Sequence, residues 1–299
     1  MNKLEYDVIL MGAYTKDTII SPTGKRFVDG GGFNYGTNVV ARMGLKVASV
    51  TRLAQEDFHL VDELKKTGAD VYATATTHST CITLEYPTTN VDQRNLYVTN
   101  NAGSFTISQV EGLSAKSFVI SPSIRGEVPI AVIDEIKKRN KFISIDVQGY
   151  IRIIRDGVLV YAKWPEKEAV LSRADVLKTD AVEAEFLTKE TDIYKAAKEL
   201  ASYGPKEIVL THKDGLLVYD GKNYFEAGFY PEKLIGRSGR GDTVIASYMA
   251  KRISAPPAEA TIWAAAAVSI KMEAEGPFKR DISDVEELIR KKYIYNRIH

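Results

Sequence analysis

The chain has 299 residues, of which 44% are hydrophobic and 26% charged, a composition typical of one large globular α/β domain or two small ones. With 40 Lys and Arg residues against 39 Asp and Glu residues the net charge is +1, so bulk charge predicts no nucleic-acid or membrane partner. A single cysteine excludes an internal disulfide framework, residues 1–7 lack a signal-peptide core, and no apolar run is long enough to cross a bilayer. We therefore expect a cytoplasmic protein.

The first strand and helix predict a parallel sheet with a ligand at its edge. Residues 6–12 form a continuous apolar run that ends in glycine, which is typical of a strand covered on both faces. Ligands collect at the carboxyl ends of such strands, and Asp17 lies just beyond this one. Residues 30–38 are rich in glycine and open a helix that Gly44 ends. Successive glycines let the main chain approach a small ligand closely, and a flexible turn is the alternative.

A segment of different pattern then interrupts the alternation of strands and helices. Residues 81–86 and 94–98 alternate apolar and polar side chains around a Pro-Thr-Thr-Asn turn, which indicates a hairpin. Because such strands have one wet face, they predict a small sheet outside the main one, built from about 13–30 and 71–100. Asp57, which precedes this segment, is expected to cap a helix.

The alternation of strand and helix resumes at residue 118. Residues 146–152 follow a predicted strand and carry an acid, an amide and a guanidinium group, with a plain polar loop as the alternative. Asp180 and Glu183 share one face of the first turn of a predicted helix, where a capping arrangement is the alternative to a functional role. Residues 208–219 read as strand, turn and strand.

Residues 236–242 form a glycine-rich loop that leads into a helix, and they are the most informative stretch of the chain. Main-chain N–H groups and the helix dipole make such a loop a site for an anion such as phosphate. A carboxylate beside phosphate would repel it, which indicates that Asp242 acts as a base on a hydroxyl that attacks phosphorus. A helix N-cap is the alternative role for Asp242, and this stretch alone leaves both open.

Four of these stretches resemble the ribokinase-like (PfkB) family of carbohydrate and nucleoside kinases. They are residues 30–44, 146–152, 180–187 and 236–242. The second of them is similar to the myo-inositol-kinase-like branch of the family. The resemblance implies a ribokinase-like three-layer α/β/α sandwich with a mainly parallel central sheet, as a single domain over residues 1–299. It also implies that the small sheet is a lid over the substrate and a surface for a homodimer.

The same resemblance implies an ATP-dependent kinase that transfers the γ-phosphoryl group to a hydroxyl of a small sugar or polyol. In this family pattern Asp242 is the catalytic base, the amides of Gly239, Arg240 and Gly241 form an anion hole, and Glu183 holds Mg²⁺ through water. The other implied residues are Asp17, Gly30, Gly31, Asn34, Gln148 and Arg152 for the substrate, and Asp180, Thr211 and Gly215 for the nucleotide.

Departures from the family pattern keep other functions open. Arg240 replaces the usual alanine, Asp180 replaces an asparagine, and the asparagine expected in the first signature falls on Tyr35, with Asn34 one residue early. A nucleoside kinase on the same fold and a non-catalytic ligand-binding protein on the kinase scaffold are therefore alternatives. A Rossmann dehydrogenase is disfavoured because Gly12 stands alone where Gly-x-Gly-x-x-Gly should follow the first strand.

Overall fold

The computed structural model describes residues 5–22, 24–88 and 95–293. The strands in these ranges are β1 (Glu5–Met11), β2 (Thr15–Ser21), β3 (Gly24–Gly30), β4 (Val47–Ala54), β5 (Asp70–Thr76), β6 (Thr80–Glu85), β7 (Asn95–Asn100), β8 (Ser114–Ile120), β9 (Ile143–Asp146), β10 (Arg152–Arg155), β11 (Val158–Tyr161), β12 (Val176–Asp180), β13 (Glu207–Thr211), β14 (Gly215–Tyr219) and β15 (Tyr224–Gly228). The α-helices are α1 (Gly32–Arg42), α2 (His59–Lys65), α3 (Ile130–Lys137), α4 (Gln148–Ile151), α5 (Lys167–Leu171), α6 (Ala181–Thr188), α7 (Ile193–Ala201), α8 (Arg240–Arg252), α9 (Pro257–Lys271) and α10 (Ile282–Leu288). None of the helices in these ranges has the length and apolar character needed to cross a membrane.

Nine of the described strands form the central sheet, in the order β15-β14-β13-β12-β9-β8-β1-β4-β5. Neighbouring strands from β13 to β5 are parallel, whereas β14 and β15 are antiparallel to their neighbours. Because side chains alternate along a strand, β1 buries Ile9 in the core beneath α3, α6 and α7 and Leu10 in the core beneath α1, α8 and α9. The predicted α/β sandwich with a mainly parallel central sheet is confirmed.

The smaller sheet differs from the predicted one in its boundaries. Its described strands lie in the order β10-β11-β7-β6-β2-β3. The expected segment 71–100 splits, because β5 is the edge strand of the central sheet and pairs with β4. Edge strands are half exposed, so β5 resembles the one-sided strands that follow it. The pair β10 and β11 also joins the smaller sheet, which was not expected. The predicted Pro-Thr-Thr-Asn turn, residues 87–90, lies partly outside the described residues.

The strand order of the central sheet changes direction between β1 and β8, which is where open α/β sheets form their ligand-binding crevice. The chain passes from β1 to β4 and β5 on one side, whereas β8, β9 and β12 lie on the other side. Ligands of open α/β sheets bind at the carboxyl ends of strands at such a switch point. The N-terminus of α1 enters here, since a methyl group on Gly32 would lie only 2.4 Å from Cβ of Ser121, the residue after β8.

Asp57 does not cap a helix, contrary to the prediction. No side chain caps α2, and the Asp57 carboxylate instead accepts hydrogen bonds from Nζ of Lys16 at 2.9 Å and from Oγ of Ser79 at 2.5 Å. Lys16 belongs to β2, and Ser79 precedes β6. Through these two contacts the Asp57 carboxylate links two strands of the smaller sheet to the loop that follows β4.

Candidate active site

Residues 236–242, which we call the anion turn, lead into α8. Gly239 is the N-cap of α8 and has a φ of 73°, a left-handed conformation that favours glycine. The amide of Arg240 donates to the carbonyl of Arg237 at 3.3 Å, and this hydrogen bond closes the turn before the helix. The amides of Gly239 and Gly241 have no acceptor within the part of the chain that the structure describes. One of the three amides predicted to form an anion hole thus has a main-chain partner, and anion binding by the other two stays a prediction.

Asp242 lies in the first turn of α8 and faces the crevice. Its side chain does not cap the helix, so the capping alternative is wrong for this residue. A methyl group on Gly32 would lie 2.9 Å from Oδ1 of Asp242, which places the carboxylate at the N-terminus of α1. Burial raises the pKa of Asp242 to about 6, and the Asp146 carboxylate contributes to the rise. A carboxylate with this pKa is mostly ionised at pH 7 and can accept a proton.

A buried ion pair lies against the anion turn. Nζ of Lys178, on β12, is 3.1 Å from Oδ2 of Asp146, at the end of β9, and both side chains are buried. Burial alone would lower the pKa of Lys178, but Asp146 and Glu183 raise it above its ordinary value. A methyl group on Gly241 would lie 2.6 Å from Nζ of Lys178. The ammonium group thus adds a fixed positive charge to the anion turn.

A second buried ammonium group contacts the main chain of the anion turn. Lys271, at the end of α9, is 2% exposed, and its Nζ donates to the carbonyl of Gly236 at 3.0 Å and to that of Ser238. The same Nζ lies 5.1 Å from the ring centre of Tyr35. That ring packs against Gly239, where a methyl group would lie 2.2 Å from Cδ1. Burial lowers the pKa of Lys271 to about 8.

Lys178, Lys271 and Tyr35 were not predicted as site residues. Each lysine interrupts an apolar run, Lys178 in a buried strand and Lys271 at the end of an alanine-rich helix, and a buried charge needs partners. That signal could have identified both. The Tyr35 hydroxyl is buried and has no hydrogen-bond partner among the described residues. Burial raises the pKa of Tyr35, and the charges of Asp17 and Asp242 raise it further.

The structure brings together Asp17, Gly30 and Gly31, three of the residues predicted to bind the substrate. Strands β2 and β3 pair here, and a methyl group on Gly30 would lie 2.5 Å from Oδ2 of Asp17. Gly31 has a φ of 95°, and a methyl group on it would lie 2.3 Å from the carbonyl oxygen of Ala13. Only glycine fits this close approach between the smaller sheet and α1.

Asn34 adjoins that group through its main-chain N–H, which donates to the carbonyl of Gly31 at 3.0 Å, but its side chain has other partners. Its Nδ2 donates to the carbonyl of Asp29 at 2.9 Å, and its Oδ1 accepts from Nδ2 of Asn38 at 3.0 Å. Its amide lines a separate cavity of about 280 Å³, which Asp242 does not line. The chain itself uses the amide, and contact of Asn34 with a substrate stays a prediction.

Residues 146–152 form the helical turn α4 and the start of β10 instead of a polar loop. Gln148 is half-buried, and its main-chain N–H donates to Oδ1 of Asp146 at 3.0 Å. Arg152 is buried, and its Nη2 lies 3.6 Å from Oε1 of Glu183. The guanidinium group therefore connects the predicted substrate segment to the predicted metal residue.

The residues predicted to bind a nucleotide have structural partners of their own. Asp180 and Glu183 form a reciprocal capping box at the start of α6, with hydrogen bonds of 2.9 and 2.8 Å. Thr211 is buried, and its hydroxyl donates to the carbonyl of Thr179 at 3.4 Å. Gly215 is buried too, and a methyl group on it would lie 2.5 Å from the main chain of β15. Nucleotide contact by these residues stays a prediction.

Glu183 is the only predicted metal residue, and it is fully buried. Within residues 5–22, 24–88 and 95–293 no group of three or more His, Cys, Asp or Glu side chains could hold a metal ion. Oε1 of Glu183 nevertheless has no hydrogen-bond partner among these residues. Its one ion-pair contact among them is the Arg152 guanidinium 3.6 Å away, and this fits a role through water, since Mg²⁺ keeps much of its hydration and takes further ligands from phosphate.

An ionisable carboxylate next to a glycine-rich turn, at the switch point of a parallel sheet, is the arrangement that phosphoryl transfer to an alcohol requires. The model of the pfkB family of carbohydrate kinases matches residues 11–277. The chain therefore belongs to the pfkB carbohydrate kinase family, as its sequence predicted.

Individual relatives differ in what they act on. The cytidine kinase of Thermococcus kodakarensis is 26% identical over 254 residues, which are 82% of this chain and 87% of that protein. A solved structure of a pyrophosphate-dependent kinase in the ribokinase family, complexed with a pyrophosphate analog and myo-inositol, is 31% identical. It has a TM-score of 0.86 and covers 94% of this chain and 99% of its own. Arabidopsis thaliana ribokinase, complexed with ribose and ATP, is 16% identical with a TM-score of 0.76 over 96% and 99% of the two chains, and it shows the fold alone.

Proposed function

We propose that this kinase transfers a phosphoryl group to a hydroxyl of a small polyol of the myo-inositol type. The observation that carries the proposal is the position of Asp242 at the crevice, directly after the amides of Gly239 and Gly241. These amides bind the phosphoryl group to be transferred, and the carboxylate takes the proton of the attacking hydroxyl.

Several groups around the crevice support a polyol as the acceptor. Asp17 supplies hydroxyl acceptors, and Gln148 and Arg152 supply donors. The Tyr35 hydroxyl is buried without a hydrogen-bond partner among the described residues, and the ring that carries it packs against Gly239. A ring with many hydroxyls can pair with all of these groups. The similar solved structure that holds myo-inositol favours this class over other sugars.

We propose pyrophosphate as the preferred donor, with ATP, the donor that the sequence predicts, as the alternative. Both present a terminal phosphoanhydride to the anion turn. Pyrophosphate is favoured by the similar structure with a pyrophosphate analog and by the buried ammonium groups of Lys178 and Lys271. Thr211 and Gly215 direct no polar side chain towards a nucleoside, since one is bonded to main chain and the other has none.

In the proposed reaction the acceptor oxygen forms a bond to the terminal phosphorus, and the anhydride P–O bond breaks. The acceptor proton passes to the ionised carboxylate of Asp242, and phosphate (or ADP, if ATP is the donor) leaves. Lys178 and the amides of the anion turn stabilise the charge on the transferred group. Mg²⁺ would neutralise donor charge when bound with the donor, and Glu183 is the residue that would hold it through water.

The test is a matrix of acceptors and donors. Myo-inositol, ribose, fructose and cytidine are each incubated with pyrophosphate or ATP and Mg²⁺, and phosphate esters are measured by ³¹P NMR. We expect an inositol phosphate with pyrophosphate, and none at equal protein concentration from Asp242→Asn. Absence of transfer to any polyol from either donor would overturn the proposal.

A nucleoside kinase is the second candidate, because the cytidine kinase relative matches most of the chain. It predicts that cytidine and ATP give the highest turnover in the same matrix. Binding of an acceptor without turnover from either donor would instead indicate a non-catalytic protein on the kinase scaffold.

A further inference from the structure

We infer that Lys271 is a positioning residue for phosphoryl transfer, whose buried ammonium group holds the carbonyls of the anion turn so that the Gly239 amide faces the donor phosphate. The inference rests on the proposed function, since it assigns a role within the same site. It adds a residue that belongs to none of the sequence motifs.

The end of α9 clamps the start of the anion turn. Nζ of Lys271 donates to the carbonyls of Gly236 and Ser238. The next residue, Met272, accepts hydrogen bonds from the amides of Ile235 at 2.9 Å and Gly236 at 3.0 Å. The end of α9 therefore binds main-chain N–H groups and main-chain carbonyls in the segment that contains the start of the anion turn.

Peptide geometry transmits this clamp to the phosphate site. The carbonyl of Ser238 and the N–H of Gly239 belong to one peptide unit, and in a trans peptide they point in opposite directions. Described peptide bonds are trans throughout. When the ammonium group of Lys271 holds the carbonyl on its side, the Gly239 N–H must point away from it. That N–H is one of the two amides without an acceptor among the described residues.

Stability alone does not explain a charge at this position. Within the described ranges no carboxylate lies within ion-pair distance of Lys271, and its partners are two carbonyls and the face of Tyr35. A buried charge without an opposite charge is costly, and a neutral hydrogen-bond donor could satisfy the same two carbonyls at a lower cost. A role in orienting the turn accounts for the ammonium group.

The position also makes the clamp sensitive to pH. Burial lowers the pKa of Lys271 to about 8, against the opposing effects of Glu275, which follows α9, and Asp242 on α8. Tyr35, which faces it from α1, is uncharged because burial raises its pKa. The ammonium form is present below pH 8 and is lost as the pH rises through that value. Donor binding should weaken over the same range.

The experiment measures binding of methylenediphosphonate, an analog of pyrophosphate, and of a non-hydrolysable ATP analog by isothermal titration calorimetry. Lys271→Met removes the charge and keeps the length of the side chain. We expect the analog that the wild type prefers to bind about 100-fold more weakly to this variant, with a melting temperature still well above the assay temperature. Lys251→Met is the control, since Nζ of Lys251 lies 4.5 Å from the ring centre of Trp263 and contacts no part of the anion turn.

A second variant separates orientation by charge from a merely structural role. In Lys271→Ala, added ammonium or methylammonium ions should restore part of the donor affinity, and Lys271→Arg should keep affinity above pH 8. Wild-type affinity in Lys271→Met, or lost affinity that small cations never restore, would overturn the inference. If the wild type transfers no phosphoryl group but Lys271→Met still weakens binding of the analog, the proposed function fails and the role of Lys271 stands.

Discussion

Two buried lysines contact the same anion turn, and their pKa values are displaced in opposite directions. Lys178 has the Asp146 carboxylate at 3.1 Å, and its pKa lies above the ordinary value in spite of burial. Lys271 has carbonyls and an aromatic ring as partners, and burial lowers its pKa to about 8. The carboxylate partner, and not the degree of burial, decides which ammonium group is permanent. Lys178 therefore stays charged near neutral pH, whereas Lys271 loses its charge as the pH rises through about 8.

Substitution of Asp242, whose pKa both ammonium groups affect, should have the largest effect on activity. Lys178 and Lys271 each lower the pKa of Asp242, although burial and Asp146 raise it overall. Asp242→Asn removes the proposed base, and we expect kcat to fall about 1,000-fold, with no loss in melting temperature. Asp62→Asn, an exposed substitution on α2, is the control for loss of one charge. Near-normal turnover of Asp242→Asn in steady-state assays would dismiss the base.

Stability measurements test the comparison of the two lysines itself. Lys178→Met leaves the buried Asp146 carboxylate without its partner, so we expect the free energy of unfolding to fall by about 3–5 kcal/mol in urea titrations. Lys271→Met leaves two carbonyls without a donor but no unpaired carboxylate, so it should lower the free energy of unfolding less. Adding Asp146→Asn to Lys178→Met should recover most of the loss. Equal losses of stability in both variants would contradict the conclusion that only Lys178 is stabilised by a carboxylate partner.

Tyr35 contacts Lys271 and is proposed to bind the polyol acceptor. Its substitution should have the smallest effect of the three, on KM for the polyol. Tyr35→Phe keeps the ring that lies under Lys271 and against Gly239 but removes the buried hydroxyl. If that hydroxyl binds the polyol, KM for the polyol should rise about tenfold, as loss of one hydrogen bond of about 1 kcal/mol or slightly more implies. Kinetics with varied polyol measure it. An unchanged KM for the polyol would remove Tyr35 from the acceptor site.

As a control for this substitution, Tyr72→Phe removes a hydroxyl that contacts only Tyr6 among the described hydrogen bonds. It lies on β5, outside the site, so it should leave KM for the polyol unchanged. A similar rise in both variants would indicate a general effect of losing a tyrosine hydroxyl.

Much of the fold and part of the site follow from local sequence. The apolar run of β1, the glycines around Gly31 and the turn before Asp242 are short patterns whose meaning does not depend on distant residues. The position of β5 and the addition of β10 and β11 to the smaller sheet depend on pairing between distant segments. The same holds for Lys271, which reaches carbonyls more than 30 residues earlier in the chain. In the sequence, the only sign of these contacts is a charged residue at the end of an otherwise apolar helix.

The most direct test of the account is the dependence of kcat/KM for the polyol on pH between 5 and 7.5, in the wild type and in Asp242→Asn. Burial raises the pKa of Asp242 to about 6, so the wild-type rate should increase as the pH rises through 6, because only the ionised carboxylate accepts the proton. The residual rate of Asp242→Asn should lack this increase. If the substituted enzyme keeps the same increase, the titrating group is the donor or another residue, and Asp242 is not the proton acceptor.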